Sequence, residues 1–215
     1  MSGIVASNSL DNSGVVKVIE SSSGGLVFIS KQTASSSSTL SFTSGIDSTY
    51  KEYLFTFTNV HPSESAHLQF QANKAGESGF NETMTTTMWG AFSEEDGSSA
   101  NSFYTGGDDQ GNGTAFQSIV KGTNADNDTA TSGYLRLFNP SGTTFCKHFL
   151  AFSSTNGSDE SDMYFTAGYF NFTGALDEIQ FKMGSGTIDS GDFCLYGLTT
   201  WQELLLKILE DHQVL

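Results

Sequence analysis

Three groups of side chains in this sequence have the types and spacing to do chemistry. Glu94-Glu95-Asp96 supplies carboxylates, which act in pairs across a glycosidic bond, one as acid and one as base or nucleophile. These three are consecutive in a hydrophilic stretch, so a solvated face is the plainer reading. His148 lies two residues from Cys146, and a strand would point both the same way. An activated thiol also needs a third group to orient its base, and the neighbouring residues offer none; a buried or interface histidine is the expectation. His61 precedes Pro62, a turn position. The serines fall in low-complexity turns without a Gly-x-Ser-x-Gly elbow, and no glycine-rich phosphate loop occurs. The residues therefore predict a non-enzymatic chain with no catalytic residue and no cofactor.

Two binding chemistries remain. Asn124, Asp126 and Asp128 alternate in one loop and Asp108-Asp109 lies in another; oxygen ligands of that kind suit calcium. The glycine and closing glutamate of an EF-hand are missing, and Asx turns explain the same residues, so no metal site is assigned. Trp89, Phe92, Phe103 and Tyr104 are loop aromatics that would stack on sugar rings, a candidate glycan contact. Aromatics near strand ends are more often core or subunit-interface residues. Cys146 and Cys194 show no metal or redox spacing and read first as small buried hydrophobes, with a disulfide or an exposed thiol as the alternatives.

The elements that must position these residues are strands. Tyr53, Phe55 and Phe57 face one way and Thr56 and Thr58 the other; Leu68 and Phe70 oppose His67, Gln69 and Gln71, which reads as a strand with one wet face. Further strand-like runs are Leu26–Ile29, Leu40–Thr43, Glu82–Trp89, Ala115–Lys121, Tyr134–Phe138, Phe145–Phe152, Met163–Phe172, Ile179–Met183 and Phe193–Leu198. Short strands without intervening helices predict an all-β, antiparallel sandwich of jelly-roll type. Ser93 to Gly113, acidic and glycine-rich, is expected to be a long surface loop.

Residues 1–24 read as an arm or linker, 25–198 as the sandwich and 199–215 as an amphipathic helix. Thr200 to Glu203 fits a capping box. Trp201, Leu204, Leu205, Ile208 and Leu209 form the apolar stripe, the expected oligomerisation or attachment face, since so short a helix is marginal alone in water. The stripe has three destinations: its own sandwich, a bundle of copies, or a larger partner.

Composition narrows the partners. The formal net charge is −15 and the chain has one arginine, Arg136. Phosphate binding needs clustered lysine and arginine, so nucleic acid is excluded as a partner, and an anionic membrane would repel the chain. Copies would repel one another at low salt, which suits dense packing in a saline setting. The first ten residues lack a secretory signal, and no apolar run approaches the roughly 20 residues of a membrane span. A soluble product made inside the cell is expected.

Several phrases then add up in order: Ser44-Gly45-Ile46-Asp47-Ser48-Thr49-Tyr50-Lys51-Glu52-Tyr53, Asn59-Val60-His61-Pro62, Met84-Thr85-Thr86-Thr87, Leu137-Phe138-Asn139-Pro140, Phe165-Thr166-Ala167-Gly168-Tyr169-Phe170, Ile179-Gln180-Phe181-Lys182-Met183 and Leu195-Tyr196-Gly197. Together they make the chain, from about Gly25 to Leu198, resemble a family of virion structural proteins from tailed phages of marine bacteria, including phages of cyanobacteria. The resemblance implies a sandwich on the particle exterior, as a capsid decoration (cement) protein or a tail or capsid fibre. Its partners would be other virion proteins, capsid or tail subunits, and copies of itself in a homotrimer. A carbohydrate-binding host-adhesion module or a polysaccharide depolymerase of a tail fibre is the alternative. The family defines no ligand residues to carry over, and it usually stops near Tyr196, so the terminal helix departs from it.

Overall fold

The computed structural model describes residues 25–157 and 159–199. The arm assigned to residues 1–24 and the terminal helix, with Trp201, Leu204, Leu205, Ile208 and Leu209, lie outside the described residues. Leu26–Leu198 forms one compact unit made of strands, with no helix among the described residues. In chain order the strands are β1 (Leu26–Ser37), β2 (Leu40–Phe42), β3 (Glu52–Pro62), β4 (Leu68–Lys74), β5 (Met84–Glu94) and β6 (Ala100–Tyr104). They continue with β7 (Gln117–Ser118), β8 (Thr131–Phe138), β9 (Lys147–Asn156), β10 (Glu160–Phe170), β11 (Leu176–Met183) and β12 (Ile188–Leu198). All pairings are antiparallel. They build a large sheet of eight strands, β1-β12-β3-β8-β9-β10-β5-β6, and a small one of four, β2-β11-β4-β7.

Alternation in the sequence decides which side chains meet between the sheets. Tyr53, Phe55 and Phe57 of β3 are buried and Thr56 is not. Leu135 and Leu137 of β8, Phe149 and Ala151 of β9, and Phe193 and Leu195 of β12 repeat the pattern. From the small sheet come Phe42, Leu68, Phe70, Ile179 and Phe181. Rings from the two sheets meet edge-on or tilted: Phe42 with Phe55 at 5.4 Å, Phe70 with Phe149 at 4.9 Å and Phe181 with Phe193 at 5.1 Å. Those geometries set positive ring edges against negative faces and add to the burial of large apolar surfaces.

The core also holds polar groups that are spent on neighbours. Thr131 donates to Thr155 at 2.9 Å and its hydroxyl meets that of Thr123 at 3.0 Å, while Ser153 donates to the Ile119 carbonyl at 2.8 Å. Lys147 is 1 % exposed, and its ammonium donates to the carbonyls of Phe145 (2.6 Å) and Thr173 (3.1 Å). Burial holds its pKa below the ordinary lysine value.

Two expectations need correction. Ser93 to Gly113 is not one surface loop: Ala100–Tyr104 forms β6, which pairs with β5 through the turn at Asp96 and Gly97. Backbone pairing across that tight turn outweighs the weak strand propensity of Ala-Asn-Ser. The second face of β4 is not wet at Gln71, which is fully buried. Its amide donates to the carbonyls of Glu82, Thr114 and Ala115 at 3.0–3.2 Å. A polar side chain that satisfies backbone acceptors is buried without penalty.

Candidate functional site

The groups singled out for chemistry are engaged in structure. Glu94, Glu95 and Asp96 sit at the β5–β6 turn, where Asp96 accepts the Ser98 amide at 2.7 Å and Glu94 accepts the Ser98 hydroxyl at 2.8 Å. The hydrogen bonds from Ser98 lower the Asp96 pKa. His61 points its Nδ1 at the Thr129 carbonyl, 2.9 Å away. His148 is exposed on the outer face, its ring 5.8 Å from that of Tyr169; the neighbours that would bury it, Leu150 and Tyr169, leave one side open to solvent.

Cys146 and Cys194 are both free and half-buried. Neither is a fully buried core residue, because Cys194 stands on the outer side of β12 and Cys146 precedes β9. Asn124 and Asp126 hydrogen-bond each other at 2.9 Å, and Thr129 donates to both of their carbonyls. Asp108 faces Lys121 at 3.2 Å. Among the described residues no cluster of His, Cys, Asp or Glu is arranged to hold a metal ion.

The unspent surface is the outer face of the large sheet. Seven large apolar side chains remain exposed among the described residues: Leu26, Phe28, Trp89, Tyr104, Tyr134, Phe145 and Phe165. Six of them share the outer face, Phe145 alone lying in a loop. Strand register sets five aromatics in one row. Tyr134 of β8 faces Phe152 of β9, Phe152 faces Phe165 of β10, Phe165 faces Trp89 of β5, and Trp89 faces Tyr104 of β6. With strands about 4.8 Å apart, the row runs roughly 19 Å across the sheet. Its first two rings stack, with centroids 6.1 Å apart and planes 30° from parallel. At the other end Tyr104 donates its hydroxyl to Asp109, whose carboxylate also accepts the Met88 amide at 2.8 Å. That carboxylate raises the Tyr104 pKa and fixes the ring.

Different chemistries flank the row. One residue pair along each strand, Leu150, Ala167 and Thr87 replace rings, and the small Ala167 leaves a shallow apolar groove of about 410 Å³ walled by Phe138, His148 and Tyr169. On the opposite side Ser132 and Ser154 stand in register and border a polar groove of about 380 Å³ with Asn59, Asp128, Asn156 and Ser161. Ser154 and Ser161 are exposed. Asn156 is held by donating to the Asp128 carbonyl at 3.1 Å and accepting the Ala130 amide at 2.8 Å.

Of the four aromatics singled out in the sequence, Trp89 and Tyr104 are partners in this row. Phe92 and Phe103 face inward, 6.2 Å apart, with Phe103 packed on buried Tyr164. The odd spacing from Trp89 to Phe92, and from Phe103 to Tyr104, already sends each pair to opposite faces. Tyr134, Phe152 and Phe165 were not singled out. Their signal is that β8, β9 and β10 are apolar on both parities, which marks a strand with two faces to cover.

Comparison with protein-family models, with curated proteins and with solved structures found no match.

Proposed function

We propose that this chain is a non-enzymatic structural protein of a bacteriophage particle, a β-sandwich of jelly-roll-like build on the particle exterior, as a capsid decoration protein or a fibre. It works by binding surfaces. The observation that carries this reading is that six of the seven exposed large apolar side chains gather on one sheet face. A fully desolvated apolar side chain contributes about 1.5–3 kcal/mol, and particle symmetry repeats that gain over many copies.

Two regions divide the work. At the β1 edge, Leu26, Leu54 and Leu198 with Tyr134 and Arg136 border an apolar corner suited to a neighbouring subunit, and Arg136 is fixed there by its ion pair with Glu52. The aromatic row occupies the rest of the face and meets the corner at Tyr134. A homotrimer brings three such corners together, and screening by salt offsets the repulsion between chains of −15.

The test is quantitative mass spectrometry of purified phage particles. Hundreds of copies per particle mean decoration and tens mean a fibre; absence of the chain from intact particles ends the assignment. Light scattering of the purified protein checks the trimer. Release of reducing ends from envelope polysaccharide by the purified protein would overturn the non-enzymatic reading.

A further inference from the structure

We infer that the aromatic row Tyr134–Phe152–Phe165–Trp89–Tyr104, with the hydroxyl- and amide-lined groove beside it, is a binding site for an uncharged polysaccharide chain. The inference rests on the reading of the outer face as a binding surface and names what half of it takes.

A pyranose ring is amphipathic: its axial C–H bonds make an apolar face and its hydroxyls form a polar rim. A matching site needs flat rings in a line for the first and fixed donors and acceptors alongside for the second. Five aromatics in cross-strand register, about 19 Å from end to end, supply the line, and the span favours a chain over a monosaccharide. Trp89 is 42 % exposed, Phe165 39 % and Tyr104 66 %, so these three side chains are open to solvent. Ser132, Ser154, Ser161 and Asn156 supply the rim contacts. Tyr104 is locked by Asp109 and Asn156 by two backbone groups, which limits the side-chain freedom lost on binding.

Charge selects among occupants. At −15 the chain repels a polyanion. Lys31, Lys74, Lys121 and Arg136 are each paired with a carboxylate, so these cations do not stand ready to receive an acidic ligand. An uncharged glycan meets no such repulsion, and the hydroxyl and amide rim is wasted on a purely apolar partner.

Native gels cast with soluble polysaccharide test this on the purified full-length protein. The uncharged probes are mannan, galactomannan, dextran and xylan; alginate is the polyanion. At least one uncharged probe is expected to retard the wild-type protein, and alginate is not. Trp89→Ala, Phe165→Ala and Tyr104→Ala, all exposed positions whose folding is checked by circular dichroism, are each expected to weaken association about tenfold or more. Phe145→Ala, exposed but off the face, is expected to bind as wild type. Retardation by none of the uncharged probes overturns the inference, as does retardation that survives all three ring variants. Loss of an oligomer in those variants, with no probe bound by the wild type, gives the row to a second copy instead. The assay needs no particle, so its failure is separate from a failure of the virion assignment.

Discussion

Replacing Asp162 by asparagine tests the electrostatics of the inner face directly. Asp162 lies on β10, in register with Phe92 on one side and Thr155 on the other, and is 8 % exposed. Its carboxyl is pushed up to about 6, first by desolvation and then by the charge of Glu160. Because the folded value lies above the unfolded one of 3.8, the folded state keeps a proton between those pH values that the unfolded state has released. Stability therefore falls as pH rises through that window, and the full cost stands above it. Two pK units correspond to about 3 kcal/mol. Asparagine keeps the shape and removes the charge. Urea unfolding of both proteins from pH 4 to 7.5 is expected to show a small difference near pH 4. It should grow to about 2–3 kcal/mol in favour of Asp162→Asn at pH 7; all other titrating groups are common to the two proteins. A difference that is flat with pH, or that favours the wild type at pH 7, would refute the claim that this carboxylate is desolvated without compensation.

Lys147 gives the complementary case. Its pKa is lowered by burial, so the wild type is expected to gain stability relative to Lys147→Met as pH rises toward 10.5, measured by urea unfolding. Gln71→Leu removes the donor shared by three carbonyls and is expected to cost about 2–4 kcal/mol, visible as a lower urea midpoint at unchanged slope. Gly168→Ala would place a Cβ 2.7 Å from both the Thr85 carbonyl oxygen and the Phe149 ring. Because the carbonyl belongs to the paired strand and cannot give way, a loss of about 1–3 kcal/mol is expected in thermal unfolding.

What the sequence made legible was local. The alternation of Tyr53, Phe55 and Phe57 put those rings in the core correctly, because a strand's two faces follow from residue parity alone. Gln71 defeated the same rule, since its burial depends on the carbonyls of Glu82, Thr114 and Ala115, brought over it by chain far away in sequence. β6 was hidden for a similar reason: its residues are indifferent strand formers and take their conformation from β5. The aromatic row was partly legible. Parity separates Trp89 from Phe92, but no local pattern shows that Trp89, Phe165 and Phe152 stand side by side. Register between strands 76 and 13 residues apart sets that, and register is a property of the pairing.

The order of the large sheet has a consequence for how the chain is made. β12, the last strand among the described residues, lies between β1 and β3, so Leu26 finds its partner only when Leu198 has been synthesised. Until then β3, with its three core rings, has an open ladder on one side, and β1 has no neighbour in its own sheet. Closure over so long a separation is slow, and an unpaired apolar strand is a template for joining another nascent chain. A ribosome that stalls before residue 188 would therefore release an adhesive intermediate and not a smaller working domain. Yield would depend on the eleven residues of β12 arriving promptly.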